Sequence, residues 1–229
     1  MPRKSFYIFL IFFYILTITN LAGDKSLKLS KDKHFFVYED GTPFFYLGDT
    51  AWELFHCLNR DEADKYLSDR AEKGFTVIQA VILSDIDGLS KPNAYGDLPL
   101  IEKDPQQPNE AYFKHVDYIV NKADSLGLFI GMLPTWGGYW SSSNPERTIF
   151  TPENARVFGK FLGKRYIDKS IIWILGGDRN IKNEYERKII DAMTYGLREG
   201  DEGNHLITFH PRGPGFSSDY LHQADWAGF

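Results

Sequence analysis

Short apolar runs recur along the chain at 44–47, 75–83, 128–133, 171–175 and 206–209. Each is followed by polar or aromatic residues and then by an amphipathic stretch. Nearly continuous apolar strands of this length belong to parallel sheets buried on both faces. The stretches between them read as helices. Asn59-Arg60-Asp61-Glu62 has the form of a capping box, and Gly74 is expected to end the helix it starts. Tyr112, Val116, Ile119, Val120 and Ala123 make one apolar face, closed by Gly127. Thr151-Pro152-Glu153 is an N-cap with proline at the first helical position, ahead of a stripe of Val157, Phe158, Phe161 and Leu162. Tyr185, Ile189, Ile190, Met193 and Leu197 mark a fourth helix, expected to end at Gly200.

Strands alternating with helices imply a parallel α/β fold. No glycine-rich phosphate loop follows the first strand, and polar and aromatic residues gather after every strand. That pattern favours a (β/α)8 TIM-barrel with its site at the C-terminal ends of the strands. Ahead of it, weak alternation over 33–38, the turn Glu39-Asp40-Gly41-Thr42 and the apolar run from Pro43 predict a β-hairpin. A possible sixth strand begins at Asp225, so the chain is expected to stop after five to six strands, before the barrel closes. The connection 84–109 is long and little periodic. Its Pro92-Asn93-Ala94-Tyr95-Gly96 suggests an ordered lip over the site.

The first residues change the picture of where the protein works. Arg3 and Lys4 precede an apolar run over 6–18, with Asn20, Ala22, Gly23 and Asp24 after it. This is the layout of a secretory signal peptide over 1–23, ahead of a catalytic domain over 24–229, in a secreted or periplasmic protein. A retained membrane anchor is the alternative. Loss of Arg3 and Lys4 would take the net charge from −5 to −7. A mildly acidic exported protein is a poor candidate for binding nucleic acid or, once cleaved, a membrane. The single cysteine, Cys57, excludes an intramolecular disulfide framework and is expected to be a buried, inert thiol. There is no His-Glu-x-x-His pair, no cysteine cluster and no Gly-x-Ser-x-Gly elbow, so no metal and no cofactor is expected.

Candidate chemistry gathers at the strand ends. Asp178 follows an apolar strand through Gly176 and Gly177, a setting that suits a general acid acting on a leaving oxygen. The competing readings are a helix cap or an ion pair with Arg179. Asp49, Gln79, Arg179 and His210 are candidate partners for sugar hydroxyls, and Trp52 and Trp136 are candidate stacking platforms. A structural role remains open for Asp49 and His210, and core packing for the two tryptophans. Aromatic residues make up 16% of the chain, enough to furnish both a core and such platforms.

The run Asp40-Gly41-Thr42-Pro43-Phe44-Phe45-Tyr46-Leu47-Gly48-Asp49-Thr50-Ala51-Trp52-Glu53 resembles the opening of the apiosidase-like family, glycoside hydrolase family 140 and its relatives. So do Lys73-Gly74-Phe75-Thr76-Val77-Ile78-Gln79, Pro92-Asn93-Ala94-Tyr95-Gly96 and Gly176-Gly177-Asp178-Arg179-Asn180. The resemblance implies a retaining, exo-acting glycosidase on a (β/α)8 barrel without a metal. The family's characterised activity releases apiose from a side chain of the pectin rhamnogalacturonan II. Its acid/base aspartate matches Asp178. Its nucleophile is a glutamate late in the barrel, which is expected to lie beyond residue 229. An endo-acting β-glycanase of the same clan and a non-catalytic glycan-binding protein are the competing readings.

Overall fold

The computed structural model describes residues 26–221, 224 and 226. The proposed signal segment lies outside the described residues, as does most of the strand expected from Asp225. β1 (Leu27–Leu29), β2 (Phe36–Tyr38) and β3 (Pro43–Phe44) form a small antiparallel sheet. β4 (Gly48–Thr50), β5 (Val77–Leu83), β6 (Phe129–Thr135), β7 (Ile171–Gly176) and β8 (Ile207–His210) form a parallel sheet in sequential order. Between them run α1 (Leu54–Cys57), α2 (Arg60–Glu72), α3 (Glu110–Ser125), α4 (Pro152–Tyr166) and α5 (Glu184–Asp201), with α6 (Ser217–Leu221) after β8. This is the half-barrel arrangement that the strand and helix pattern predicts.

Alternation along each strand divides the core in two. Ile78, Ala80, Ile82, Ile130, Met132, Ile171, Trp173 and Leu175 face outward into the helices. Val77, Val81, Phe129, Leu133, Ile172 and Ile174 face inward, where Leu27 and Phe44 of the small sheet meet them. Phe44 packs edge-on against Phe129, with ring centroids 5.1 Å apart, and Tyr38 lies 6.4 Å from the same ring. Phe129 and Val77 are the first residues of their strands. The small sheet is therefore a plug at the end where the strands begin.

The plug explains one departure from expectation. The apolar run 44–47 does not form the first barrel strand. Its Phe44 and Tyr46 are spent on the plug, and the strand paired with β5 is Gly48–Thr50. The capping box at Asn59 and the N-cap at Thr151 form as expected, and at Thr151 the side chain of Asn154 returns the bond as Glu62 does at Asn59, making a second capping box. Gly200, however, does not end its helix: α5 runs on to Asp201 and turns at Glu202. Gly200 instead packs with Gly196 against Gly159 and Gly163 of α4. A Cβ on any of the four would fall 2.2–2.4 Å from a carbonyl oxygen of the opposite helix. The two backbones thus touch without intervening side chains.

Cys57 is exposed rather than buried, because it sits at the end of the single-turn α1. Partial burial of the thiol, helped by the neighbouring Glu53 carboxylate, still pushes its pKa up.

Candidate active site

β7 leaves the sheet through three successive residues in the left-handed region, Gly176, Gly177 and Asp178, with φ of +96°, +92° and +59°. The two glycines are there for space as well as rotation. A Cβ on Gly176 would lie 2.4 Å from the His210 carbonyl oxygen, and one on Gly177 would lie 2.7 Å from the Gly137 nitrogen. At Asp178 a side chain is carried in a conformation that non-glycine residues seldom adopt, of the kind that gathers at functional sites.

The turn is held from outside itself. Trp140 Nε1 donates to the Gly176 carbonyl at 2.7 Å, and the Gly137 amide donates to the Gly177 carbonyl at 2.9 Å. The Gly177 amide donates to the His210 carbonyl at 3.1 Å, and the Asp178 amide to His210 Nδ1 at 3.2 Å. Arg179 Nη1 donates to the Asp178 carbonyl at 2.8 Å. The backbone groups from the Gly176 carbonyl to the Asp178 carbonyl are thus bonded, while the Asp178 carboxylate has no hydrogen bond or ion pair among the described residues. Both structural alternatives for Asp178 fail on this geometry. The cap of α5 is Asn183, and Arg179 bonds the backbone of Asp178 rather than its carboxylate.

Beside the turn stand Trp52, Trp136 and His210. Ring centroids are 5.3 Å apart for Trp52 and Trp136, 5.6 Å for Trp52 and His210, and 6.1 Å for Trp136 and His210. Both indoles are partly buried against the inner core, and each keeps some surface at the rim. Five of the expected site residues, Asp178, Arg179, Trp52, Trp136 and His210, therefore come together.

Asp49 and Gln79 do not join them. Asp49 pairs in register with the outward-facing Ile78, and its carboxylate accepts from Tyr66 Oη at 2.9 Å and Arg70 Nη1 at 3.1 Å, both on α2. Burial and the Asp49 carboxylate together hold the Tyr66 phenol well above its usual pKa. Asp49 is a strand-to-helix clamp. Gln79 does face inward, but near the plug, where its Nε2 lies 3.2 Å from Tyr46 Oη. The long connection is ordered, as expected, yet it folds back over the helices. Leu89 and Leu100 join the outer core, and Tyr95 stands on Arg60 and His115 of α2 and α3.

Several residues that shape the rim carry little sequence signal. Trp140 is fully buried behind the turn. Arg147 bonds the Asp85 carbonyl at 2.7 Å and pairs with its carboxylate at 2.9 Å, while Ser84 Oγ donates to Glu53 at 2.6 Å. Glu186, in the first turn of α5, is fully buried and accepts from Ser142 N, Ser142 Oγ, Ser141 Oγ and Lys182 N. Burial raises its pKa, but the Lys182 and Ser142 hydrogen bonds outweigh it, and the carboxyl is held below its usual range. It joins the loop after Trp140 to the loop after Asp178. A capping acid at the third helical position is readable from sequence; its long-range partners are not.

Known proteins place this arrangement. The chain is similar to a glycoside hydrolase family 5 structure from Bacteroides vulgatus, at 32% identity over 90% of this chain and 44% of that one, with a TM-score of 0.78. It is similar to another glycoside hydrolase structure at 35% identity, over 90% of this chain and 45% of that one, with a TM-score of 0.78. It thus spans less than half the length of either. The catalytic domain of a Thermobifida fusca endoglucanase, at 14% identity over 85% of this chain and 56% of that one, with a TM-score of 0.53, shares the fold. No curated protein matches the chain. The family described as "Apiosidase-like, catalytic domain" matches residues 30–229, and the chain belongs to it.

Proposed function

We propose that the protein is an exported, exo-acting, retaining glycosidase that removes a terminal sugar from plant cell-wall polysaccharide side chains, with Asp178 as its acid/base. The observation that carries this reading is the unpaired Asp178 carboxylate on a turn whose backbone is bonded throughout, beside two indoles. A carboxyl fixed in place but left free can give a proton to a leaving oxygen and later take one from water. Trp52 and Trp136 offer faces for the apolar side of a sugar ring. Arg179 and His210 supply donors to its hydroxyls.

Retention needs a second carboxyl about 5–5.5 Å from the first, acting as nucleophile. Asp49, Glu53 and Asp85, the other carboxylates near the strand ends, are held by Arg70, Ser84 and Arg147. The family resemblance implies that this role falls to a glutamate late in the barrel. Apiose is the leading candidate sugar, on the family resemblance. One observation favours the endo-acting reading: Tyr95, at the middle of the connection 84–109, packs on α2 and α3 and not on the indoles of the rim.

The test is to incubate the whole gene product with pectin fractions, β-mannan and cellulose and to separate the products by size. Release of a monosaccharide from pectin alone is expected. Oligosaccharides from mannan or cellulose would hand the case to the endo reading, and binding without release to a glycan-binding protein.

A further inference from the structure

We infer that His210 is the positioning residue for Asp178, and that its imidazole is held neutral with the proton on Nε2, offered to the ligand. The inference rests on the glycosidase reading for the purpose of that device, but not for its geometry. A backbone amide can only donate, so the 3.2 Å contact from the Asp178 amide requires a lone pair on His210 Nδ1. A neutral ring with Nδ1 bare carries its hydrogen on Nε2. The same residue accepts the preceding amide of the turn, Gly177 N, on its main-chain carbonyl at 3.1 Å. One residue at the end of β8 thus holds two consecutive amides of the turn that ends β7, one through its backbone and one through its ring.

Placement fits the second half of the inference. The ring neighbours both indoles, Trp52 at an interplanar angle of 74° and Trp136 at 40°, with centroids 5.6 Å and 6.1 Å away. Its Nε2 has no hydrogen-bond partner among the described residues, though the ring is only partly exposed. A polar N–H beside two indoles, with nothing among the described residues to receive it, is a donor kept for a ligand oxygen. The bond to Asp178 also removes the other tautomer, so the donor is set before the ligand arrives, and no ring flip is needed on binding.

The two jobs of the ring separate by substitution. His210→Asn keeps an acceptor at the Nδ1 position and loses the distal donor. His210→Gln places its amide at the distal position and withdraws the acceptor from Asp178. In 15N-labelled whole protein at neutral pH, His210 Nδ1 is expected to resonate as an unprotonated nitrogen and Nε2 as a protonated one; the reverse tautomer, or a mixture, overturns the inference. The Asp178 amide is expected to stay protected from hydrogen exchange in His210→Asn and to exchange faster in His210→Gln; equal exchange in both overturns it. With a good glycoside substrate, His210→Asn should raise KM about tenfold with kcat little changed, and His210→Gln should lower kcat about tenfold. Equal losses of kcat in both, with KM unmoved, would reduce His210 to a structural residue. If the wild-type protein turns over no glycoside at all, the glycosidase reading fails on its own, and the spectroscopic arms still decide the role of His210.

Discussion

The two ends of the parallel sheet are built from similar residues and treat them oppositely. Where the strands begin, polar side chains are tied off: Gln79 to Tyr46 on the inner face, beside the plug of edge-packed aromatics, and Asp49 to Tyr66 and Arg70 on the outer. Where the strands finish, it is the backbone of the Asp178 turn that is tied off, while its carboxylate has no partner among the described residues. Both ends hold an aspartate and aromatic rings. What separates a strut from a reactive group here is which of its atoms the protein has already satisfied.

Three sets of measurements test that division. The largest expected effect is at the plug. Phe44→Ala removes a buried ring packed on Phe129, Tyr38 and Tyr46, and should cost about 3–5 kcal/mol of stability. Urea unfolding should show the loss while KM for a glycoside, below the transition, stays put; a large KM change with unchanged stability would mean the plug belongs to the site.

Next comes the pair of aspartates. Asp178→Asn should lower kcat on a natural glycoside by at least about a hundredfold, and much less on substrates with very good leaving groups, because it removes only the proton donor. Asp49→Asn should leave kcat within a few-fold and lower stability by about 1 kcal/mol, since it weakens a half-exposed ion pair with Arg70. Exchange of these two phenotypes would reverse the assignment made from their hydrogen bonds.

The smallest effect is one of pH. Burial lowers the pKa of His56 and of His115 below the ordinary histidine value of about 6.5, so the folded state prefers both rings neutral. Their contribution is fully present above that value and is lost as pH falls from it toward the depressed values. Thermal melts should therefore decline on mild acidification, before carboxylates such as Glu186 begin to take up protons. His115→Gln should flatten the decline, and an unchanged slope would remove His115 as a cause.

The parts of this molecule that could be read from sequence are those decided by near neighbours. Caps at Asn59 and Thr151 and the apolar faces of the helices depend on residues three or four positions apart, and they form as read except at Val157 and Tyr185, which are exposed. The Gly-Gly-Asp ending of β7 was legible for the same reason. Asp49 was misplaced because its direction follows from pairing with Ile78, twenty-nine positions later, and from the diversion of 44–47 into the plug. The holders of the Asp178 turn, Trp140 and His210, act across 36 and 32 residues. Gly200 reads as a helix end because glycine usually is one; its partner on α4 lies where no local pattern points.

That glycine crossing couples four positions of this chain to the placement of the rim. Gly159, Gly163, Gly196 and Gly200 each face a carbonyl oxygen on the other helix at a distance no side chain can share. A methyl group at one of them cannot be absorbed by trimming its neighbour, since the neighbour is main chain. Either all four stay glycine or the two helices separate by the width of a side-chain layer and everything attached to α5 moves with it, including the first-turn Glu186 that binds two rim loops. A substitution at any one of the four is thus a change in helix spacing and not a local one.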